Sequence, residues 1–133
     1  MEIPPMHNRS SVNNLSATGA EPAALLLAHL DAPSPVWGYD GERLGLGRML
    51  ALDQASGQPL CLLVGRGRAL RSLRPVPWPA VRYDARLQAW LADVTAPLFL
   101  QGPIWSSAAA RARACVLRAH IYYDVYFEMT SRT

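Results

Sequence analysis

Between residues 36 and 103 the sequence alternates short apolar segments with turn-forming residues, and this alternation constrains the fold more than any other feature. The pair Asp40-Gly41 is typical of a hairpin turn, and a second turn runs from Asp53 to Gly57. Both glycines fit turn positions that need positive φ. Short strands at this spacing predict a mainly β fold, either a small barrel or a sandwich.

The strands between these turns differ in their expected environment. Residues 46–52 form one strand, and residues 59–64 form a near-continuous apolar strand of the kind that is buried on both faces. Residues 74–77 contain two prolines, which place this short strand at a sheet edge or at the end of a ladder. Residues 81–92 are expected to form the last hairpin, around a turn at Asp84.

The segment before these strands divides into two parts. Residues 1–20 are rich in Asn, Ser, Pro and Gly. They cannot bury enough apolar surface to offset the entropy of ordering, so they are predicted to be a disordered tail. Residues 21–30 are predicted to form a short helix with Pro22 in its first turn. The prolines in residues 31–35 are expected to end that helix.

Two helices are predicted after the last strand. Thr95 caps a short helix over residues 96–100, and a longer helix begins at Ser106 or Ser107 and ends near Glu128. Apolar residues at helical spacing along the longer helix predict one apolar stripe, formed by Ala110, Ala114, Leu117, Ile121 and Val125.

Three phrases of this region resemble the PRC-barrel family: VWGYDGERLG, MLALDQASGQPLCLLV and VPWPAVRYDARLQAWLADVT. The resemblance covers about half of the chain. It implies a small β-barrel with flanking helices, α+β overall, in which residues 21–103 form the barrel domain and residues 104–133 a helical, aromatic-rich extension. The family occurs in the photosynthetic reaction-centre H subunit, in a ribosome maturation factor and in stand-alone proteins.

The resemblance therefore implies a docking or assembly module rather than an enzyme. The residues that carry over have structural roles. Gly41 and Gly57 serve the turns, Trp78 is expected to plug the barrel mouth, and Tyr83 is expected to pack across it. The chain is expected to differ from the reaction-centre subunit in lacking a membrane span, and from the ribosome factor in lacking a partner domain before the barrel.

No set of residues predicts catalysis, a metal site or a cofactor. The histidines at positions 29 and 120 have apolar neighbours, which favours a surface or hydrogen-bonded core role, and His7 lies in the predicted tail. The aspartates at 40, 53 and 84 lie in turns, where they are expected to bond the local backbone. Cys61 and Cys115 are far apart in sequence and match no zinc spacing, and nothing in the sequence argues for a disulfide.

The bulk composition gives only mild guidance on partners. The formal net charge is +3, all basic residues are arginine, and no apolar run approaches the roughly 18 residues of a membrane span. We find no signal peptide, so a cytoplasmic protein is the default expectation. A charge this small does not by itself predict nucleic-acid binding.

Two sets of residues are candidate binding sites. The first is a docking loop of arginines, which is either a solvated loop guarding a sheet edge or an anionic docking patch: Arg66, Arg68, Arg71 and Arg74. The second is the aromatic end of the long helix, which either packs in a groove of its own barrel or forms a partner surface: Tyr122, Tyr123, Tyr126 and Phe127. The leading hypothesis is a non-enzymatic interaction or assembly module that binds a protein or itself. The alternative is an RNA- or ribosome-associated factor that uses the arginine loop.

Overall fold

The computed structural model describes residues 6–11, 25–66, 72–106 and 108–130, with side chains for residues 25–66, 72–106, 108 and 111–124. Strands dominate, and two helices follow the last of them, which confirms the predicted mainly β fold with helices beside it. The elements are β1 (Met6–Ser11), β2 (Leu25–Trp37), β3 (Arg43–Asp53), β4 (Pro59–Gly65), β5 (Arg74–Pro77), β6 (Val81–Asp84), β7 (Ala89–Ala92), α1 (Ala96–Leu100) and α2 (Ala109–Thr130).

The strands form one sheet that curls into a half-barrel, in the order β5-β4-β3-β2-β7-β6. Neighbours are antiparallel except β2 and β7, which run parallel where Val36 pairs with Trp90. The proline-containing β5 lies at one edge, as predicted, and β6 lies at the other. A single 3-10 turn, Trp78–Ala80, connects these two edge strands and so helps to bring the ends of the curl together.

The segment before the barrel is a strand where the sequence predicted a helix. Residues 25–30 belong to β2, and residues 21–24 lie outside the described part of the chain. The apolar side chains alternate between the two faces of the sheet, so that Ala28 and Leu30 enter one core while Leu25 enters another. A helix would bury only one stripe of this run, whereas a central strand buries both of its faces.

The prolines of residues 31–35 bend β2 instead of ending an element. Between the pairs His29–Met49 and Ser34–Gly47, four residues of β2 face a single residue of β3. This bulge accommodates residues that cannot donate to the ladder and lets one strand serve two neighbours. The first half of β2 pairs with β1, and its end pairs with β7.

The predicted disordered tail is wrong for Met6–Ser11, which pairs antiparallel with residues 26–30 as β1. The exposed edge of β2 offers unpaired backbone donors and acceptors, and a strand that adds to it needs few apolar side chains of its own. Composition alone misses this kind of order, because the hydrogen bonds belong to the backbone. Residues 1–5 and 12–20 of the predicted tail lie outside the described residues.

Two apolar cores lie on opposite faces of the sheet. Leu50 and Leu62 point into the half-barrel core, which contains Trp90, whereas Ala51 and Leu63 point to the outer core beneath α2. The strand β4 is therefore buried on both faces, as its near-continuous apolar sequence predicted. Because both cores share the same strands, α2 is an integral layer of the domain.

Several predicted local features are present at the turns and at the helix starts. Gly41 and Gly57 have φ of +82° and +75°, which confirms the two turns. The short helix α1 has the predicted bounds, but Thr95 makes no side-chain capping bond. Its first backbone N–H, from Ala96, instead donates to Oδ2 of Asp40 at 3.1 Å. A turn residue distant in sequence thus replaces the expected cap.

The longer helix α2 has nearly the predicted bounds, and the face that it buries is not the predicted apolar stripe. Leu117 and Ile121 of the predicted stripe are exposed. The side chains of Ala110 and Val125 lie outside the described set. The buried face consists of Ala112, Cys115, Val116, Ala119 and Tyr123. No helix in the described part of the chain is both long and apolar enough to cross a membrane.

Candidate docking surface

An aromatic cluster fills the half-barrel core. The indole of Trp90 is fully buried and lies edge-on to the rings of Trp78 and Tyr83, with centroid separations of 5.8 Å and 5.1 Å. A Cβ added at Gly47 would lie 2.9 Å from Nε1 of Trp90, so only glycine lets the indole pack this closely on β3. Trp78 and Tyr83 thus both contact Trp90, a residue that the sequence analysis missed. Its signal was a tryptophan followed by a leucine in a short apolar strand, Ala89–Ala92.

Arg74 has an internal structural role. Its Nη1 donates to the carbonyl oxygen of Gly102 at 2.7 Å, and its guanidinium lies 5.9 Å from the centroid of the Phe99 ring. These contacts tie the edge strand β5 to the connection between α1 and α2. Arg74 thus has internal partners, and its part in the docking loop stays a prediction. Arg66 is exposed, whereas Arg68 and Arg71 lie outside the described residues.

The two described tyrosines of the aromatic helix end pack against their own domain. The Tyr122 hydroxyl donates to the Leu98 carbonyl oxygen at 2.7 Å, which fixes α2 to α1. The Tyr123 ring is buried in the half-barrel core and lies edge-on to Tyr122 with a centroid separation of 4.9 Å. Tyr123 therefore cannot belong to an exposed partner surface. The side chains of Tyr126 and Phe127 lie outside the described set.

Burial changes the acidity of these two phenols. It raises the pKa of Tyr122, an effect that the nearby positive charge of Arg74 partly offsets. It raises the pKa of Tyr123 well above the usual range, and its hydroxyl has no hydrogen-bond partner among the described residues. Neither phenol is therefore ionised near neutral pH, and both act as packing and anchoring groups.

The exposed surface of α2 is apolar at its centre. Leu117 and Ile121 are 53% and 63% exposed, and they lie one turn apart on the same face. Beside them an open groove runs between α2 and the α1–α2 connection, and Pro103 and Arg118 contribute to its walls. Ile104, next to this groove in sequence, is 54% exposed. Helical spacing in the sequence identifies Leu117 and Ile121 as members of one apolar stripe but does not say whether that stripe faces the sheet or the solvent.

Three further chemistry-bearing side chains, those of His120, Cys61 and Cys115, are buried or partly buried in the domain. His120 donates from Nε2 to the Leu60 carbonyl oxygen at 3.1 Å, which confirms a hydrogen-bonded structural histidine. Cys61 and Cys115 are buried free thiols, and burial together with the neighbouring Cys115 raises the pKa of Cys61 to about 12. A protonated thiol is a poor nucleophile. The described residues contain no group of three or more side chains suited to hold a metal ion.

A second concavity lies beside the β2 bulge. It is a cleft of about 350 Å³ lined by Asp31, Pro33, Ser34, Tyr83 and Gln88. Gln88 has φ of +53° at the end of the β6–β7 turn, and the buried Ser34 hydroxyl donates to the Ala32 carbonyl oxygen. The Ser34 hydroxyl is therefore engaged with the local backbone.

Comparison with protein-family models and with curated proteins finds no match for this sequence. The PRC-barrel resemblance therefore stays a prediction from the sequence. On the outer surface of α2, Leu117 and Ile121 stay exposed, and the packing of the domain gives no reason for large apolar side chains at these positions.

Proposed function

We propose that this chain is a non-enzymatic protein-interaction module of the PRC-barrel type, and that the outer face of α2 is its docking surface. One observation carries the proposal. Leu117 and Ile121 are more than half exposed at the centre of a helix whose opposite face is fully used in the core. An isolated exposed leucine needs no explanation, but a pair one turn apart beside an apolar-walled groove is typical of a binding surface.

The helix is held rigidly enough to present this surface. Its own side chains anchor it to two other elements, through Tyr122 to α1 and through His120 to β4. The connection before it is fixed at two further points, where Trp105 donates its backbone N–H to Leu73 and where Arg74 reaches Gly102. A preorganised surface loses little conformational entropy when it binds, so modest apolar area can still give measurable affinity.

The alternative, RNA or ribosome association, would depend on the arginine loop. Of its four arginines, Arg74 is committed to the Gly102 carbonyl and Arg66 is exposed. No described observation favours RNA over a protein partner. Binding that falls steeply with salt and disappears with nuclease would be its signature.

The proposal is tested with the tagged full-length chain in native lysate, with and without nuclease, and with the purified chain by light scattering. Replacing Leu117 and Ile121 together by serine should abolish association, because it removes the apolar centre of the surface. The matched control is Leu87→Ser, since Leu87 is 63% exposed but lies in the β6–β7 turn. Association that survives the double replacement, or that only nuclease removes, would refute this docking surface.

A further inference from the structure

The geometry points to a second copy of this chain as the occupant of the α2 surface, paired antiparallel across a two-fold axis. This inference rests on the proposed function and names its partner. It comes from how the charges are arranged around the apolar centre. Arg111 and Arg113 precede that centre, and the acidic residues Asp124 and Glu128 follow it. Arg118 lies between the two apolar residues, about 80° from the middle of their face on the side away from Arg113.

Two of these charges flank the apolar seam on the same side. The seam is the line on the helix surface through Leu117 and Ile121. In a projection down the helix axis at about 100° per residue, Arg113 lies about 60° and Asp124 about 40° from the midpoint of the seam, both on the same side. The two charges are about three turns apart, at roughly equal distances before and after the midpoint of the seam. Asp124 is exposed and Arg113 is partly buried, so both side chains can reach a neighbour lying on this face.

Antiparallel pairing makes this arrangement complementary to itself. A two-fold axis that crosses the seam keeps each residue on its own side while reversing the helix direction. Leu117 of one copy then faces Ile121 of the other, and Arg113 faces Asp124 twice. A parallel pair, related by a two-fold axis along the helices, would instead place the two copies of Arg113 on opposite sides of the seam, where neither meets Asp124 of the other copy. Of the two arrangements, only the antiparallel one brings the opposite charges of Arg113 and Asp124 together, so charge complementarity selects it.

The size of the contact surface between the two helices sets the expected affinity of the dimer. The 22 residues of α2 make a rod of about 33 Å, and Ala114 on the same face lets two such rods approach closely. A contact one helix wide lies at the small end of stable interfaces. We therefore expect a dimer that dissociates on dilution.

The test is charge reversal, read by analytical ultracentrifugation of the full-length chain over a range of concentrations. The unaltered chain should dimerise. Arg113→Asp and Asp124→Arg should each raise the dissociation constant at least about tenfold, because each places two like-charged pairs in the dimer. Mixing the two variants should restore a dimer, since every contact between position 113 and position 124 then joins opposite charges. The double exchange in one chain should restore self-association in the same way.

Matched controls carry the same substitutions elsewhere on the surface. Arg86→Asp and Asp93→Arg change exposed residues away from α2 and should leave the dissociation constant unchanged. Circular dichroism of each variant checks that partly buried Arg113 can be replaced without loss of fold. Dimerisation restored in the mixture is a second check on folding, because an unfolded variant could not form a dimer with the other variant.

Three results would overturn the inference: a monomer at all concentrations, single reversals that dimerise as the unaltered chain does, or a mixture that stays monomeric. Failure of self-pairing is distinguishable from failure of the proposed function. If the chain is monomeric but the Leu117/Ile121 double replacement still removes a bound protein, only self-pairing fails. If that replacement changes no association at all, both fail.

Discussion

The two faces of α2 invert the usual relation between side-chain size and burial. The buried face carries small residues at Ala112 and Ala119, followed by the large ring of Tyr123. The exposed face carries two large aliphatic side chains, Leu117 and Ile121. Small residues let the helix backbone approach the sheet, so close packing rather than hydrophobicity decides which side faces inward.

Two hydrogen bonds from side chains of α2 also favour the observed buried face. Only when the small residues face the sheet can His120 reach the Leu60 carbonyl oxygen and Tyr122 reach the Leu98 carbonyl oxygen. Each bond satisfies a polar group that would otherwise be desolvated without compensation. Within the part of the chain that the structure describes, the outer face shows no such ties to the domain, which leaves Leu117 and Ile121 available for binding. One face of α2 therefore serves stability and the other serves association.

Truncating a large side chain on each face tests this division most strongly. Tyr123→Ala should lower the free energy of unfolding by about 3–5 kcal/mol, because it leaves a cavity in the half-barrel core. Ile121→Ala should change it by no more than about 0.5 kcal/mol, because that side chain is mostly in water. Urea unfolding followed by fluorescence measures both. Equal losses at the two positions would contradict the assignment of the faces.

A pH titration tests the outer core beneath α2 through Cys61, which lies on β4 and packs in that core. Its pKa is raised to about 12 from an ordinary value of 9.0. Above pH 9 the unfolded chain loses this proton while the folded chain keeps it, so stability should fall as the pH rises from 9 towards 12. One such group contributes a slope of up to about 1.4 kcal/mol per pH unit. Burial of Tyr123 acts in the same direction at higher pH.

The slope of stability against pH separates the ionisation of the Cys61 thiol from the packing of its side chain. Cys61→Ala lowers stability at every pH by creating a cavity, but it should also flatten the alkaline slope, because the titrating group is gone. Urea unfolding at several pH values between 8 and about 10.5 gives both quantities. An unchanged slope would show that Cys61 does not carry the effect.

The sequence predicted the strands of the barrel well because their signals are local. A glycine in a turn, a proline in an edge strand and a strand that is apolar on both faces each indicate their environment from the local sequence alone. The segment 25–30 was mistaken for a helix because its apolar run has no clear period of two. Its strand conformation depends on β3 and on the backbone of β1, which are tertiary partners. The cap of α1 was missed for the same reason, since Asp40 is remote in sequence.

The candidate site was predicted less well, because exposure is a property of the assembled domain. Helical spacing identified Leu117 and Ile121 as one stripe, but the period does not say which stripe faces inward. Aromatic residues are typical of interfaces, yet Tyr123 is needed in the core. Arginine in a loop suggested docking, whereas the backbone carbonyl of Gly102 already occupies Arg74. In each case the deciding partner is distant in sequence.

Arg74 and Arg66 offer a smaller contrast between an internal and an exposed arginine. Arg74→Met should lower the free energy of unfolding by about 1–2 kcal/mol, since it removes a charge-assisted bond to a backbone carbonyl while keeping most of the side-chain packing. Arg66→Met should have an effect within about 0.5 kcal/mol, because that side chain is exposed. Thermal unfolding of both variants makes the comparison. A larger loss for Arg66→Met would overturn the structural role of Arg74.

Removing one hydroxyl from each of the adjacent tyrosines should give the smallest effects, and effects of opposite sign. Tyr122→Phe leaves the Leu98 carbonyl oxygen without its donor and should destabilise the domain by about 1 kcal/mol. Tyr123→Phe removes a buried hydroxyl that has no partner among the described residues, so it should be neutral or stabilising by a few tenths of a kcal/mol. The ring and the cavity it fills stay the same in both variants, so calorimetry at one pH isolates the hydroxyls. If Tyr123→Phe were instead the more damaging change, its hydroxyl would have to bond a buried water or a residue outside the described set, and the inner face of α2 would hold a polar contact where the described structure places only packing.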